Sequence, residues 1–147
     1  MPPDDAAFPA APSPDLAAAG WKTLPAEDYP ALIGPFLVRR EADGGWRFGF
    51  VAEQRHLNRG GVVHGGMLMS FADDALGATV WMSAGNKPCT TVQLNTQFIA
   101  PVRLGELVEV RAEVLRATRT VVFVRGALEA AGRTAVHADG VWKILGA

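Results

Sequence analysis

One long helix is predicted over residues 65–83, and its composition constrains how the rest of the chain can be arranged. Its side chains are apolar nearly all round, and they include Met67, Leu68, Met69, Phe71, Ala72, Ala75, Leu76, Val80 and Trp81. A helix that is apolar on every side is a buried helix. The remaining segments are therefore expected to enclose it.

The enclosing segments show the period-2 alternation of antiparallel strands. "WRFGFVA" (46–52) follows a turn signal at Asp43-Gly44-Gly45, and four more segments follow the helix, at 91–99, 106–115, 120–129 and 134–145. In the segment 91–99, one face carries Val92, Leu94, Thr96 and Phe98 and the other carries Thr91, Gln93, Asn95 and Gln97. The order of elements predicts the α+β class, with a central helix wrapped by a five- to six-stranded antiparallel sheet.

The length of 147 residues fits a single domain over 21–147. Residues 1–20 are mostly Pro and Ala and are expected to form a disordered or loosely attached arm, and residues 25–36 a short helix that ends at Gly34-Pro35. The net charge of −1 argues against a nucleic-acid partner. With no long apolar run and no signal-peptide pattern, we expect no membrane partner and a cytoplasmic location.

Small residues and one carboxylate form a stripe along the predicted helix. Gly66, Ser70, Asp73 and Gly77 recur at i, i+4, i+7 and i+11, so they lie on one side of the helix. A buried carboxylate is unfavourable by several kcal/mol unless it is paired or hydrogen-bonded. Asp73 is therefore either held by backbone donors or placed there for chemistry, and Asp74, about 100° further round, is the alternative carboxylate.

Gly65 and Gly66 fall in the first turn of the helix, where backbone N–H groups lack intrahelical partners. Such an N–H can polarise a carbonyl oxygen, as an oxyanion hole does. Gly65 and Asp73 are eight residues apart, or roughly 12 Å along one helix, so a single carbonyl cannot contact both in one chain. Two antiparallel copies of the helix would bring them together, and the spacing predicts an obligate homodimer with sites at its interface.

Three stretches carry a resemblance to a known family: "HLNRGGVVHGG" (56–66), "SFADDALG" (70–77) and "VQLNTQFIAPVRLGE" (92–106). Together they resemble the PaaI-type acyl-CoA thioesterases of the hot-dog superfamily. The resemblance covers about residues 35–145 and implies the hot-dog fold, a thioester hydrolase that acts on an acyl-CoA, and no cofactor or metal. Because similar enzymes form tetramers, it also implies a homotetramer made of two dimers.

The resemblance also implies roles for individual residues. The Gly65 N–H would polarise the thioester carbonyl, and Asp73 of the partner subunit would act as general base or nucleophile. Asn58 would place the water or the carbonyl, His64 would orient Asn58 or the loop, and Thr91 would help to hold the water. The structural alternatives are a capped loop for Asn58, a core histidine for His64 and an ordinary strand residue for Thr91.

Substrate contacts are expected from both apolar and basic residues. Gly66, Met67, Leu68 and Phe71 would bind the acyl group together with the partner's helix. Arg103 and Arg119 would contact the phosphates of coenzyme A, since Arg suits bidentate contact with phosphate, although exposed strand charges are the ordinary alternative. The acyl group stays open, with aryl and hydroxyaryl groups among the options, and so does the choice between coenzyme A and an acyl-carrier protein.

Two other functions compete with hydrolysis. A hot-dog dehydratase or hydratase is disfavoured, because those enzymes place their histidine in a different local context. A non-enzymatic module that binds acyl-CoA would not need Asp73, which is present here.

Overall fold

The computed structural model describes residues 13–146 and shows the hot-dog architecture: one long helix packed against a large antiparallel sheet. The helices are α1 (Pro14–Ala18), α2 (Asp28–Ile33) and α3 (Gly65–Ser83), and a 3-10 turn covers Gln54–His56. The strands are β1 (Lys22–Thr23), β2 (Leu37–Arg40), β3 (Trp46–Val51), β4 (Cys89–Phe98), β5 (Leu107–Val110), β6 (Glu113–Ala117), β7 (Val121–Ala130) and β8 (Arg133–Ile144). Within the described residues, no helix is both long and apolar enough to cross a membrane.

The central helix α3 has the bounds that the sequence predicts. Its buried residues are Met67, Leu68, Phe71, Ala72, Ala75, Leu76 and Val80, and they pack on the inner face of the sheet. Burial on every side is not seen in the single chain, where Met69 and Trp81 remain 38% and 39% exposed. The stripe through Asp73 and Gly77 also lies outside the core, so α3 has one buried side and one available side.

The sheet has eight strands in the order β1-β2-β3-β5-β7-β8-β4, with β6 paired to β7 beside β5. The count exceeds the predicted five or six, because β1 is added and the segment 106–115 divides into β5 and β6. The division lies opposite Gly126, where an added Cβ would be 2.8 Å from the Val110 side chain and 3.6 Å from the Ala112 Cα. This close approach leaves no room for a side chain at position 126.

The described part of the N-terminal segment contains a short helix and one buried side chain. Residues 1–12 of the expected arm lie outside the described residues, but residues 14–18 form α1, capped by the Ser13 side chain and without any buried residue. Trp21 then enters the interior at 2% exposed. As predicted, α2 stops before Gly34-Pro35.

Gly140 of β8 leaves no room for a side chain. An added Cβ would lie 2.4 Å from the Gln93 carbonyl oxygen and 2.7 Å from the Trp142 ring. We expect Gly140→Ala to lower the free energy of unfolding by about 2 kcal/mol, because backbone and a buried ring must both move. Urea denaturation measures this, with Asp139→Ala on the outer face as the control, expected to change stability by less than about 0.5 kcal/mol. If Gly140→Ala and wild type had equal urea midpoints, the close contacts around Gly140 would not limit the size of the residue there.

Candidate active site

A carboxylate and a hydroxyl meet between α3 and β4. Thr91 Oγ1 donates a hydrogen bond to Asp73 Oδ1 at 2.7 Å. The second oxygen of Asp73, Oδ2, has no hydrogen bond with any described residue. Both side chains line a cavity of about 800 Å³. The carboxylate is thus fixed through one oxygen and leaves the other available to a ligand or a water.

A β-bulge aims Thr91 at Asp73. In the pairing of β4 with β8, Thr91 lies opposite Trp142 and Gln93 lies opposite Val141, so Val92 is an extra residue. Strict alternation would put Thr91 on the face opposite to Leu94, as the sequence pattern indicates. The bulge reverses that assignment for the first part of β4. Thr91 consequently faces the helix together with Leu94.

The walls of the cavity are largely apolar. The segment from Leu24 to Pro30 forms one side, together with Phe36, and α3 contributes Asp74, Gly77, Ala78 and Trp81. Cys89 and Trp142 complete the lining from the sheet. The sequence alone does not identify three parts of this lining: the N-terminal segment, Trp81 and Trp142. Their place in the cavity depends on how distant segments pack.

The residues expected to hold the acyl group lie elsewhere. Met67 and Phe71 belong to the core, at 8% and 1% exposed, and do not line this cavity. Phe71 stacks edge-on against Phe36 and Phe50, with ring centroids 5.2 and 4.8 Å away. Leu68 lines a smaller cavity of about 310 Å³, with Gly65 and Phe98. In the single chain these side chains therefore support α3 from its buried side.

The start of α3 leaves one backbone donor without a partner. The Gly66 N–H donates to His64 Nδ1 at 2.8 Å, and the N–H groups of Met67 and Leu68 donate to the His64 carbonyl. The Gly65 N–H has no hydrogen bond with any described residue. It is a donor in this turn that remains available for another hydrogen bond. The Gly66 N–H, in contrast, already has a partner in the His64 side chain.

His64 and Asn58 each stabilise their own stretch of backbone, and no hydrogen bond joins them. His64 is the N-cap of α3. Asn58 Oδ1 accepts from the Gly60 N–H at 2.8 Å and from the Val62 N–H at 3.4 Å, which closes the loop before the helix. The geometry is that of a capped loop and a capped helix. Both side chains are exposed in the single chain.

Two titratable groups beside Asp73 in the cavity lining have raised pKa values. Burial, and after it the negative charge of Asp73, raise the pKa of the Asp74 carboxyl. The same two causes raise the pKa of the Cys89 thiol, so Cys89 stays a protonated thiol rather than a nucleophilic thiolate. Asp74 makes no hydrogen bond with a described residue, which distinguishes it from Asp73.

The two arginines expected to bind phosphate lie at opposite ends of the sheet. Arg103 belongs to the loop beside Arg133, where Arg133 and the Arg103 backbone N–H both contact Glu106. Arg119 lies in the turn before β7, next to Thr120, whose carbonyl accepts from the Ile144 N–H. Since β8 separates these ends, one chain does not bring the two arginines together.

Arg55 and the buried His56 hold the N-terminal wall of the cavity in place. His56, 5% exposed, contacts the Ile33 carbonyl through Nε2 at 2.8 Å, and its Nδ1 accepts from the Glu53 N–H. Arg55 donates to the carbonyl oxygens of Leu32 and Gly34. The C-terminal end of α2 is thereby attached to the 3-10 turn that precedes the Asn58 loop.

A family model, the thioesterase superfamily, matches residues 60–136. That span holds α3, β4 and the Asp73–Thr91 pair and is more than half of the chain. The chain belongs to the thioesterase superfamily. It is therefore a thioester hydrolase with the hot-dog fold.

Individual relatives agree with this membership. A Pseudomonas aeruginosa protein with a provisional esterase name is 31% identical to this thioesterase over 77% of the chain and 85% of the relative. Human acyl-coenzyme A thioesterase 13 is 25% identical over 76% of the chain and 86% of the relative.

Solved structures give the same fold. A thioesterase-like, phenylacetic acid degradation-related protein from Ralstonia eutropha has a TM-score of 0.64 at 28% identity, covering 91% of this thioesterase and 92% of that chain. A Bacillus halodurans protein solved with CoA has a TM-score of 0.69 at 20% identity, covering 75% and 74% of the two chains.

Proposed function

We propose that this thioesterase hydrolyses acyl-CoA thioesters, with Asp73 as the general base or nucleophile. The observation that carries the proposal is the Asp73–Thr91 hydrogen bond in the wall of an apolar cavity. A carboxylate held through one oxygen keeps the other free to accept a proton from water or to attack the carbonyl carbon. The relatives named as acyl-CoA thioesterases support coenzyme A as the carrier.

The reaction needs stabilisation of negative charge as well as a base. Attack on the thioester carbon places a negative charge on the carbonyl oxygen, and an N–H donor aimed at that oxygen stabilises the transition state by about 3–4 kcal/mol. We assign that donor to Gly65 of the partner subunit, since Gly65 and Asp73 of one chain are about 12 Å apart. Collapse of the tetrahedral intermediate then breaks the carbon–sulfur bond and releases the CoA thiol and the carboxylic acid.

The edge of the sheet supports an obligate homodimer. β4 is the last strand in the sheet order, so one of its edges has no strand partner among residues 13–146. Val92 and Phe98 on this ten-residue strand are 63% and 53% exposed. A long edge strand with exposed apolar side chains is a template for pairing with another chain. We propose that two copies join there and place Gly65 of each near Asp73 of the other, with two such dimers forming a homotetramer.

The other site assignments remain part of the same proposal. Asn58 and His64 hold the loop and the helix start that present Gly65, beside Gly66. Met67, Leu68 and Phe71 support the acyl site from the core. Arg103 and Arg119 from different subunits contact the phosphates of coenzyme A, and the protein works in the cytoplasm without a cofactor.

Thiol release from a panel of acyl-CoAs tests the activity directly. The panel runs from C2 to C16 and adds phenylacetyl, benzoyl and hydroxybenzoyl thioesters, and the same acyl groups on an acyl-carrier protein form a second arm. We expect release from at least one CoA thioester. Release from the carrier-protein arm alone, or from neither arm, would contradict the proposed substrate.

Thr91→Val tests how Asp73 is positioned. The change removes the hydroxyl but keeps the shape, so Asp73 loses its hydrogen bond. We expect kcat to fall roughly tenfold, equivalent to about 1.4 kcal/mol in the activation barrier, with little change in KM. Thr91→Ser keeps the hydroxyl and should keep most of the activity. If serine and valine lower kcat equally, the hydroxyl has no role.

A further inference from the structure

His56 is a buried polar residue that the proposed chemistry does not use. Among residues 13–146 it is the only buried residue with a polar or charged side chain, at 5% exposed. Its Nδ1 accepts a hydrogen bond from the Glu53 N–H at 3.0 Å, so Nδ1 carries no proton and Nε2–H donates to the Ile33 carbonyl at 2.8 Å. The ring also packs edge-on against Phe50, with ring centroids 5.4 Å apart. The side chain of His56 therefore joins three separate segments of the chain.

The backbone of the same residue holds the start of α3. The His56 carbonyl accepts a hydrogen bond from the His64 N–H at 2.8 Å. His64 is the N-cap of the helix and directly precedes Gly65. Between His56 and His64, an isolated antiparallel bridge joins Leu57 to Val63 and closes the loop. The position of the Gly65 N–H therefore depends on how firmly His56 is fixed.

The ring of His56 holds one wall of the cavity. Ile33, whose carbonyl accepts from the ring, is the last residue of α2. The helix α2 and the residues before it line the cavity that holds Asp73. In the proposed dimer, this wall faces Asp73 of its own chain, whereas Gly65 serves Asp73 of the partner. His56 is therefore attached to parts of both active sites.

We propose that His56 is a positioning residue that links the two active sites of the dimer. Its ring holds the substrate-binding wall of its own site, and its carbonyl holds the oxyanion donor of the other site. The inference rests on the proposed function and its shared sites. The wall contacts the substrate before and during the reaction, so its displacement raises KM. The Gly65 N–H acts in the transition state, so its displacement lowers kcat.

Substitutions of His56 separate its two hydrogen bonds. His56→Asn keeps an acceptor for the Glu53 N–H but is too short to reach Ile33, so we expect KM to rise roughly tenfold with kcat within about threefold of wild type. His56→Gln reaches the Ile33 carbonyl but frees the turn from Glu53, so we expect kcat to fall roughly tenfold with KM within about threefold. His56→Leu removes both bonds and should change both constants. The matched control is His137→Leu, which should change neither constant, because His137 lies between two buried residues of β8 and so faces outward.

Mixed dimers locate the two effects. In a dimer of one Asp73→Asn chain and one Gly65→Pro chain, which lacks the N–H at position 65, one site works. That site combines Gly65 of the first chain with Asp73 and the wall of the second. His56→Leu added to the first chain should lower kcat roughly tenfold and leave KM within about threefold. Added to the second chain, the same substitution should raise KM roughly tenfold and leave kcat within about threefold.

The outcomes separate this inference from the function on which it rests. Equal effects of His56→Leu in the two chains, or unchanged constants, overturn the link alone, because hydrolysis is then present without it. If wild type hydrolyses no acyl-CoA, or if mixed dimers regain no activity after confirmed subunit exchange, the proposed function or its shared site fails together with the link. Urea midpoints identify a His56→Leu chain that fails to fold. His56→Asn and His56→Gln then carry the test, and equal changes in those two variants also overturn the link.

Discussion

Asp73→Asn is expected to lower kcat/KM for the preferred acyl-CoA by at least about 100-fold, because the amide neither accepts the proton of water nor attacks the carbonyl. The fold should survive, since asparagine has the same shape and its oxygen can still accept from Thr91. Thiol release, measured together with the urea midpoint, separates a loss of catalysis from a loss of stability. The loss should appear mainly in kcat, as expected for a group that acts in the transition state.

The neighbouring carboxylate provides the comparison for Asp73. Asp74→Asn changes the same chemistry one residue along the helix and is expected to keep hydrolysis within about threefold of wild type. Equal activity in Asp73→Asn and wild type would contradict the assignment of Asp73. It would move the catalytic role to Asp74, which faces the same cavity.

Gly65→Pro is the second change with a large expected effect. Proline lacks the N–H, and position 65 is the first residue of α3, where proline is well tolerated. His64 before it already has an extended backbone, with φ −60° and ψ 135°, which suits a residue that precedes proline. We expect kcat to fall about 10²–10³-fold, the effect of deleting one oxyanion donor. Gly65→Ala is the control, because it keeps the N–H but adds a Cβ that would lie 3.3 Å from the Phe98 ring. It therefore separates the effect of losing the N–H from the effect of contact with Phe98.

Mixing the two inactive variants tests the shared site. A dimer of one Asp73→Asn chain and one Gly65→Pro chain has one site with both intact groups and one site that lacks both. After random exchange of subunits, about one quarter of wild-type activity should return, because half of the dimers carry one working site. Activity no higher than that of the separate variants, with subunit exchange confirmed by mass spectrometry, would place Gly65 and Asp73 in independent sites.

Regular periodicity explains which parts of the fold can be read from the sequence. α3 has its predicted bounds because a long run of apolar helix formers follows His64, a side chain able to cap the helix. The bounds of β7 and β8 lie within one residue of the predicted segments. In both strands buried residues alternate with more exposed ones, and the buried positions include Val122, Val124, Val136 and Ala138. In such segments the local pattern and the tertiary packing require the same structure.

Other features depend on contacts between distant segments. The division of the segment 106–115 into two strands lies opposite Gly126 of β7, a residue that no pattern within that segment records. The cavity wall at 24–30 depends on Arg55 and His56, which hold the end of α2 from more than 20 residues away. Trp142 follows the alternation of a core residue, so its pattern does not indicate that it lines the cavity. The stripe along the helix and the unpaired N–H groups at its start indicate Asp73 and Gly65, and the family resemblance adds Thr91. The hydrogen bond between Thr91 and Asp73 comes from the folded chain.

The bulge at Val92 separates the position of Thr91 from the length of β4. Val92 has no partner in β8, and its side chain is 63% exposed, so it is an extra residue between two paired stretches of the strand. Deleting Val92 would leave Thr91 two positions before Leu94, and regular alternation would keep both side chains on the face toward α3. Thr91 would then still lie opposite Trp142, with its hydroxyl directed at Asp73. A regular strand and a bulged strand of this sequence therefore present the same hydroxyl to the same carboxylate.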